Sequence, residues 1–201
     1  METVTVIETG LANIASVEWA FKRLGARVER TTDPHVVRKA ARVVLPGVGA
    51  FGAAAPMLHQ SGLADSIRER VQSDDPTLAI CLGFQLLAEG SEESPGTPGI
   101  GCFEGQVTRI PEGPLVPQLG WNRVSFTGPS PLDDGHAYFA NSYCLATPPA
   151  GWDTARTEYG VSMVSAVYRG AIMGCQFHPE LSGRWGQDLL QHWLSHGGAT
   201  C

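Results

Sequence analysis

The sequence predicts an α/β protein of three layers, in which a mostly parallel central sheet lies between helices and further β-strands are added in the second half. Three observations carry this. Short apolar runs rich in β-branched residues alternate with helix-period segments over the first half, and beyond Gly101 the text changes to short strand-like pieces. The chain of 201 residues, 43% hydrophobic and 17% charged, is also long and apolar enough to bury a core of its own, so a single domain over 1–201 is expected.

Val4 to Ile7 is the first strand. Ile14, Val17, Phe21 and Leu24 then repeat as one face of a helix that Gly25 stops. Ala26 to Arg30 reads as a second strand, Pro34 to Ala40 as a helix with proline at its start, and Arg42 to Leu45 as a third strand. Strand, helix, strand, helix, strand implies parallel pairing. Helical material from Ala53 to Gln72 leads to a strand at Thr77 to Ile80, and Leu82, Leu86 and Leu87 follow at once on a helix, so a strand-to-helix junction falls at Cys81. Ser91 to Gly101 is a connection rich in Gly, Pro and Ser. Strands are then expected at Gln106 to Ile110, Asn122 to Phe126, Ala137 to Tyr143, Val164 to Tyr168 and Ala171 to Gln176, with a final amphipathic helix from Gly186 to Ser195. No repeat is evident; Pro111 to Pro117 and Pro148 to Pro149 read as ordinary connections, and Gly197 to Cys201 as a fraying tail.

A net charge of -6 argues against a nucleic-acid partner, because no basic stripe is available to neutralise phosphates. No basic-then-apolar leader and no apolar run of about 18 to 20 residues is present, so a soluble, cytoplasmic protein without membrane contact is expected. The five cysteines, at 81, 102, 144, 175 and 201, are odd in number and lack metal-ligand spacing, as reduced thiols would.

Ala79-Ile80-Cys81-Leu82-Gly83 has the form small-x-Cys-x-Gly at a strand end, the thiol version of a nucleophile elbow, and the N-terminus of the following helix would favour a thiolate. Taken alone, a cysteine after a strand is more often a buried core thiol. The balance shifts with Gln176-Phe177-His178-Pro179-Glu180, which follows another apolar strand and so belongs at the same sheet edge: a thiol nucleophile needs a base and the base an orienter, and His178 with Glu180 offers both. Leu45-Pro46-Gly47-Val48-Gly49 follows the third strand. Its glycines allow backbone amides to turn toward a ligand as an oxyanion hole, or serve only a tight turn. His192 and His196 are spaced as a metal pair on the last helix, but no third ligand is evident and no metal is expected.

Together with Gly10-Leu-Ala-Asn-Ile14, Val116-Pro-Gln-Leu-Gly-Trp-Asn122 and Tyr138-Phe-Ala-Asn-Ser-Tyr143, these segments resemble the class I (triad) glutamine amidotransferases, whose fold is flavodoxin-like, and in particular the glutaminase subunits of imidazole glycerol phosphate synthase. The resemblance covers nearly the whole chain. It implies a catalytic triad of Cys81, His178 and Glu180, oxyanion amides of Val48 and Leu82, and L-glutamine held by Gly49, Gln85 and Ser142. No cofactor is implied. Asn13, Trp121 and Tyr138 would face a (β/α)8-barrel cyclase subunit in a heterodimer of L-histidine biosynthesis, with ammonia handed over directly. Such enzymes restrain the glutaminase until the acceptor binds, which predicts a strand at Gly47 to Gly49 not yet in productive geometry. Departures from the family pattern fall at Glu8, Ala79, Gln118, Asn141 and Leu181, none in the triad. Two alternatives remain at this stage: a glutaminase subunit serving another amidotransferase, and a non-catalytic binding module of the same fold.

Overall fold

The apolar runs of the first half become parallel strands because crossover helices cover both their faces. The computed structural model describes residues 1–10, 13–111, 115–128, 130 and 132–196. Its first half runs β1 (Thr3–Ile7), α1 (Ile14–Arg23), β2 (Arg27–Thr31), α2 (Pro34–Lys39), β3 (Val43–Leu45), α3 (Phe51–Gln60), α4 (Leu63–Gln72), β4 (Thr77–Ile80) and α5 (Leu82–Leu86). The second half adds β5 (Gly90–Ser91), β6 (Gln106–Arg109), β7 (Gln118–Phe126), β8 (Gly135–Asn141), β9 (Tyr143–Leu145), β10 (Asp153–Glu158), β11 (Ser162–Arg169), β12 (Ile172–Cys175), a 3₁₀ turn at Pro179–Leu181, and α6 (Gly183–His196).

The sheet order is β2-β1-β3-β4-β12-β11-β10-β7-β8, with β5, β6 and β9 off this path. Pairing is parallel from β2 through β12 and antiparallel from β12 to β8. Side-chain alternation along the strands builds a core on each face. Val6, Val44, Leu78 and Ile80 pack with Phe21 of α1 and Leu190 and Trp193 of α6. Val43, Leu45 and Ala79 pack on the other side with Val37, Phe51, Leu58, Ile67 and Phe84 of α2 to α5. This is the expected three-layer arrangement.

Several details depart from the expected elements. The helical stretch before β4 is two helices, because Gly62 takes a left-handed φ of 76° that breaks the ladder. The strand expected from Ala137 to Tyr143 is divided at Ser142, where the chain leaves β7 and pairs instead with β6 and β11. The strand expected to begin at Asn122 begins at Gln118, since β8 offers register partners over that whole length. Strands β5 and β10 were not anticipated. Buried Arg70, on α4, holds the C-terminus of α2 against the entry to β4: its guanidinium donates to the carbonyls of Val37 at 3.0 Å, Ala40 at 2.7 Å and Pro76 at 2.8 Å.

What matters for chemistry is the pairing of β12 beside β4, with Cys175 opposite Ile80. The chain therefore leaves both strands at one carboxyl edge, and Cys81 and the segment from Gln176 to Glu180 emerge together.

Candidate active site

Cys81 sits between β4 and α5 with φ 53° and ψ -108°, a backbone conformation that L-residues avoid, so the turn is held by its surroundings. Its amide donates to the Cys175 carbonyl at 2.8 Å, and a Cβ on Gly83 would lie 2.1 Å from the Leu45 carbonyl oxygen. Only glycine at 83 lets β3 and α5 approach this closely, which gives the elbow pattern its steric reason. The helix after Cys81 has only five residues, so the macrodipole argument made from the sequence carries less weight than the side chains that meet the thiol.

Those side chains come from the segment that follows β12. His178 is hydrogen-bonded to Cys81, and its Nδ1 meets Glu180 Oε1 at 2.8 Å; both side chains are buried. Burial of the imidazole acts to lower its pKa, but the hydrogen bonds to Cys81 and Glu180 and the attraction to both outweigh it and raise it to about 10. The segment is fixed to β8 by the His178 amide, which donates to the Tyr138 carbonyl at 2.9 Å, and by Ser182, whose hydroxyl donates to the His178 carbonyl at 2.6 Å and accepts from the Tyr138 amide at 3.0 Å. The second Glu180 oxygen is buried without a partner among the described residues.

The thiol and imidazole open into a cavity of about 300 Å³ that Val48, Gly49, Leu82, Gln85 and Ser142 also line. Of the residues expected for the triad, the oxyanion amides and the glutamine contacts, all but Glu180 line this one space, and Glu180 reaches it through His178. Two amides or side chains are already engaged. The Leu82 amide donates to the Gly47 carbonyl at 3.2 Å, and the Gln85 amide nitrogen donates to the Tyr143 carbonyl at 3.0 Å and to Gln176 Oε1 at 2.9 Å.

The sequence reading missed Glu93, which lines the same cavity and whose Oε2 accepts from the Phe51 amide at 2.8 Å at the start of α3. It lies in a stretch read as plain connection, and no spacing marked it.

Of the residues expected at a partner surface, Tyr138 lies beside the site, its carbonyl accepting from the His178 amide. Asn13 is exposed, and Trp121, 55% exposed, stands edge-on to Tyr138 with ring centroids 6.2 Å apart. Leu119 and Leu181 are exposed as well. Gln118 and Asn141, in contrast, are a buried cross-strand pair, and Asn141 faces the cavity. Glu8 pairs with Arg30. Leu11 and Ala12 of the first motif, Glu112 to Pro114 of the connection after β6, and the tail with Cys201 lie outside the described residues.

Away from the site, Cys102, Cys144 and Cys175 are unpaired thiols, and burial pushes them up, Cys102 to about 12 and Cys144 to about 11. The His192 and His196 rings stack at 4.1 Å, and no group of three or more potential metal ligands exists among the described residues. Nor is any described helix long and apolar enough to cross a membrane.

The family model for glutamine amidotransferase class-I matches residues 5–196. The imidazole glycerol phosphate synthase subunit HisH of Moorella thermoacetica is 41% identical, over 98% of this chain and 98% of that protein, and its counterpart in Herpetosiphon aurantiacus is 42% identical over 95% and 93%. The chain belongs to the class I glutamine amidotransferases, within the HisH family. A solved structure described as a glutamine amidotransferase superposes on it with a TM-score of 0.79 at 21% identity, covering 98% of this chain and 99% of that one, a likeness of fold. In this amidotransferase the elbow and the Phe-His-Pro-Glu segment, located from sequence as two separate signals, are one site.

Proposed function

We propose that this chain is the glutaminase subunit of an imidazole glycerol phosphate synthase, that it is a single amidotransferase domain over 1–201, and that it hydrolyses L-glutamine to glutamate and ammonia with Cys81 as nucleophile. The observation that carries the chemistry is the strained Cys81 held against a buried His178 that Glu180 orients, at the floor of a cavity of about 300 Å³.

Because the His178 pKa is raised to about 10, the imidazole holds its proton at neutral pH and is placed beside the sulfur as a proton donor. The thiolate attacks the glutamine side-chain carbonyl, forming a carbon–sulfur bond and moving a pair of electrons onto the oxygen. Collapse of that intermediate breaks the carbon–nitrogen bond as His178 gives its proton to the leaving nitrogen, and ammonia departs. Neutral His178 then takes a proton from water, whose oxygen attacks the thioester. The thiolate leaves, glutamate is released, and His178 is again protonated. Glu180 stabilises the imidazolium in each resting interval. Glu93 and Gln85 line the cavity and offer carboxylate and carboxamide oxygens to the substrate's ammonium group.

The tetrahedral oxyanion needs amide donors, and Leu82 already gives its N–H to the Gly47 carbonyl. In this reading the chain alone is a restrained glutaminase, and turning the Gly47–Val48 peptide would free Leu82 and present Val48. The relatives are named as subunits, and the exposed apolar side chains of Leu119, Trp121 and Leu181 suit burial by a partner. We assign that partner as a (β/α)8-barrel cyclase in a cytoplasmic heterodimer of histidine biosynthesis, where ammonia is consumed and the pair acts as a lyase.

The test is glutamine hydrolysis by the purified chain, alone and then with a histidine-pathway cyclase subunit and its nucleotide substrate. Strong stimulation is expected from the pair. Activity indifferent to the cyclase would refute the assigned partner, and no hydrolysis under either condition would refute the glutaminase assignment.

A further inference from the structure

Gln176 opens the segment that carries His178, is fully buried, and places its carboxamide against the nucleophile: its Nε2 lies 3.8 Å from Cys81 Sγ. Which end of that carboxamide faces sulfur is fixed by a chain of contacts. The Tyr143 carbonyl can only accept, so Gln85 must present its nitrogen to it, at 3.0 Å. The same nitrogen then donates its other hydrogen to Gln176 Oε1 at 2.9 Å. With its oxygen so engaged, Gln176 has only its N–H₂ to offer the sulfur. Asn141 reinforces the anchor by donating to the same Tyr143 carbonyl at 3.0 Å.

We propose that the relay from Tyr143 through Gln85 to Gln176 is part of the catalytic machinery, and that Gln176 is a sulfur-facing donor that stabilises negative charge on Cys81. This rests on the reading of Cys81 as the glutaminase nucleophile. A hydrogen bond to an ionised acceptor is about twice as strong as one to a neutral group, so the contact is strong to a thiolate and weak to a thioester sulfur. It therefore acts at two points. It raises the fraction of thiolate before attack. During hydrolysis of the thioester, when the carbon–sulfur bond breaks and its electron pair returns to sulfur, the Gln176 N–H meets that pair as it arrives, with no proton transferred. Because Gln85 also lines the substrate cavity, an ammonium bound at its carboxamide oxygen would polarise the amide and strengthen its N–H donation, linking occupancy of the site to the sulfur.

The experiment uses the full chain, alone and with its partner subunit, and follows alkylation of Cys81 by iodoacetamide against pH by mass spectrometry, beside glutaminase kinetics. Gln176→Met, similar in shape but without the donor, is expected to move the alkylation midpoint up by roughly one pH unit, the size of one hydrogen bond to a charged group. It should also lower kcat about tenfold. Gln176→Glu, which sets a carboxylate against the sulfur, should move the midpoint further. A role in packing alone would leave the midpoint in place, so wild-type pH dependence in either folded variant overturns the proposal. The unaltered chain supplies a measurement that needs no variant. Its Gln176 side-chain amide resonance should shift on alkylation and titrate with the alkylation midpoint, and a resonance indifferent to both overturns the proposal. Glutaminase activity that survived complete alkylation of Cys81 would instead refute the nucleophile assignment itself.

Discussion

Replacing Glu180 with glutamine tests the electrostatic centre of the site. The substitution keeps the shape and removes the charge from a carboxylate that sits 2.8 Å from His178 Nδ1 with both side chains buried. A hydrogen bond between charged partners contributes roughly 1.5–3 kcal/mol, and at about 1.4 kcal/mol per pH unit its loss should lower the His178 pKa by about one to two units. The imidazole, raised to about 10 in the unaltered chain, should then titrate near 8 to 9, roughly. An NMR titration of the His178 ring reads this directly.

The sign for stability follows. A histidine whose folded pKa lies above the free value of about 6.5 stabilises the fold fully below that pH, and the contribution is lost as pH rises toward the folded value. The stability difference between wild type and Glu180→Gln in urea unfolding should therefore be at its full size from about pH 6 to about pH 8, where both contributions fall together, and should shrink only between the variant's folded pKa of about 8 to 9 and the wild-type value of about 10. Glutaminase kcat should fall about 10- to 100-fold, the range expected when a general acid–base residue loses its tuning and orientation. If His178 titrates at the same pH in Glu180→Gln as in the wild type, the raised pKa does not come from this carboxylate and the reasoning fails.

Cys81→Ala and Cys81→Gly should both lack glutaminase activity while a partner subunit supplied with ammonium salts continues to synthesise product. Gly should give the higher unfolding midpoint of the two, because releasing a backbone held at φ 53° relieves about 1–3 kcal/mol against a glycine entropy cost of about 0.5–1 kcal/mol. Glu93→Gln keeps an oxygen to cap the Phe51 amide but loses the charge in the cavity, so steady-state kinetics should show KM for glutamine up roughly tenfold with kcat changed less than about threefold. Arg70→Met should cost roughly 3–5 kcal/mol in urea denaturation, because the carbonyls of Val37, Ala40 and Pro76 lose their donor inside the protein.

The parallel half of the molecule was legible because a strand covered on both faces must be apolar along its length, and Val43 to Leu45 and Thr77 to Ile80 have little polar text to confuse the reading. Strand β10 was not, since Asp153 to Glu158 alternates polar and small residues and becomes a strand only because β7 and β11 offer it hydrogen bonds on both sides. For a similar reason the division of β8 from β9 at Ser142 could not be read: the residues suit a strand throughout, and only the change of neighbour breaks it.

The sequence by itself determined the residue types of the site, because the requirements of the elbow are local. A small residue and Gly83 flank Cys81, and His178 and Glu180 are two positions apart. Tertiary structure alone decided what those residues meet. Gln85 and Gln176 lie 91 positions apart and share a hydrogen bond of 2.9 Å, Glu93 reaches the cavity from a connection without pattern, and the Leu82 amide is taken by Gly47. Periodicity and spacing report which face of its own element a residue occupies. Which donor meets which acceptor depends on how strands far apart in sequence come to lie side by side, and that is settled only when β12 pairs with β4.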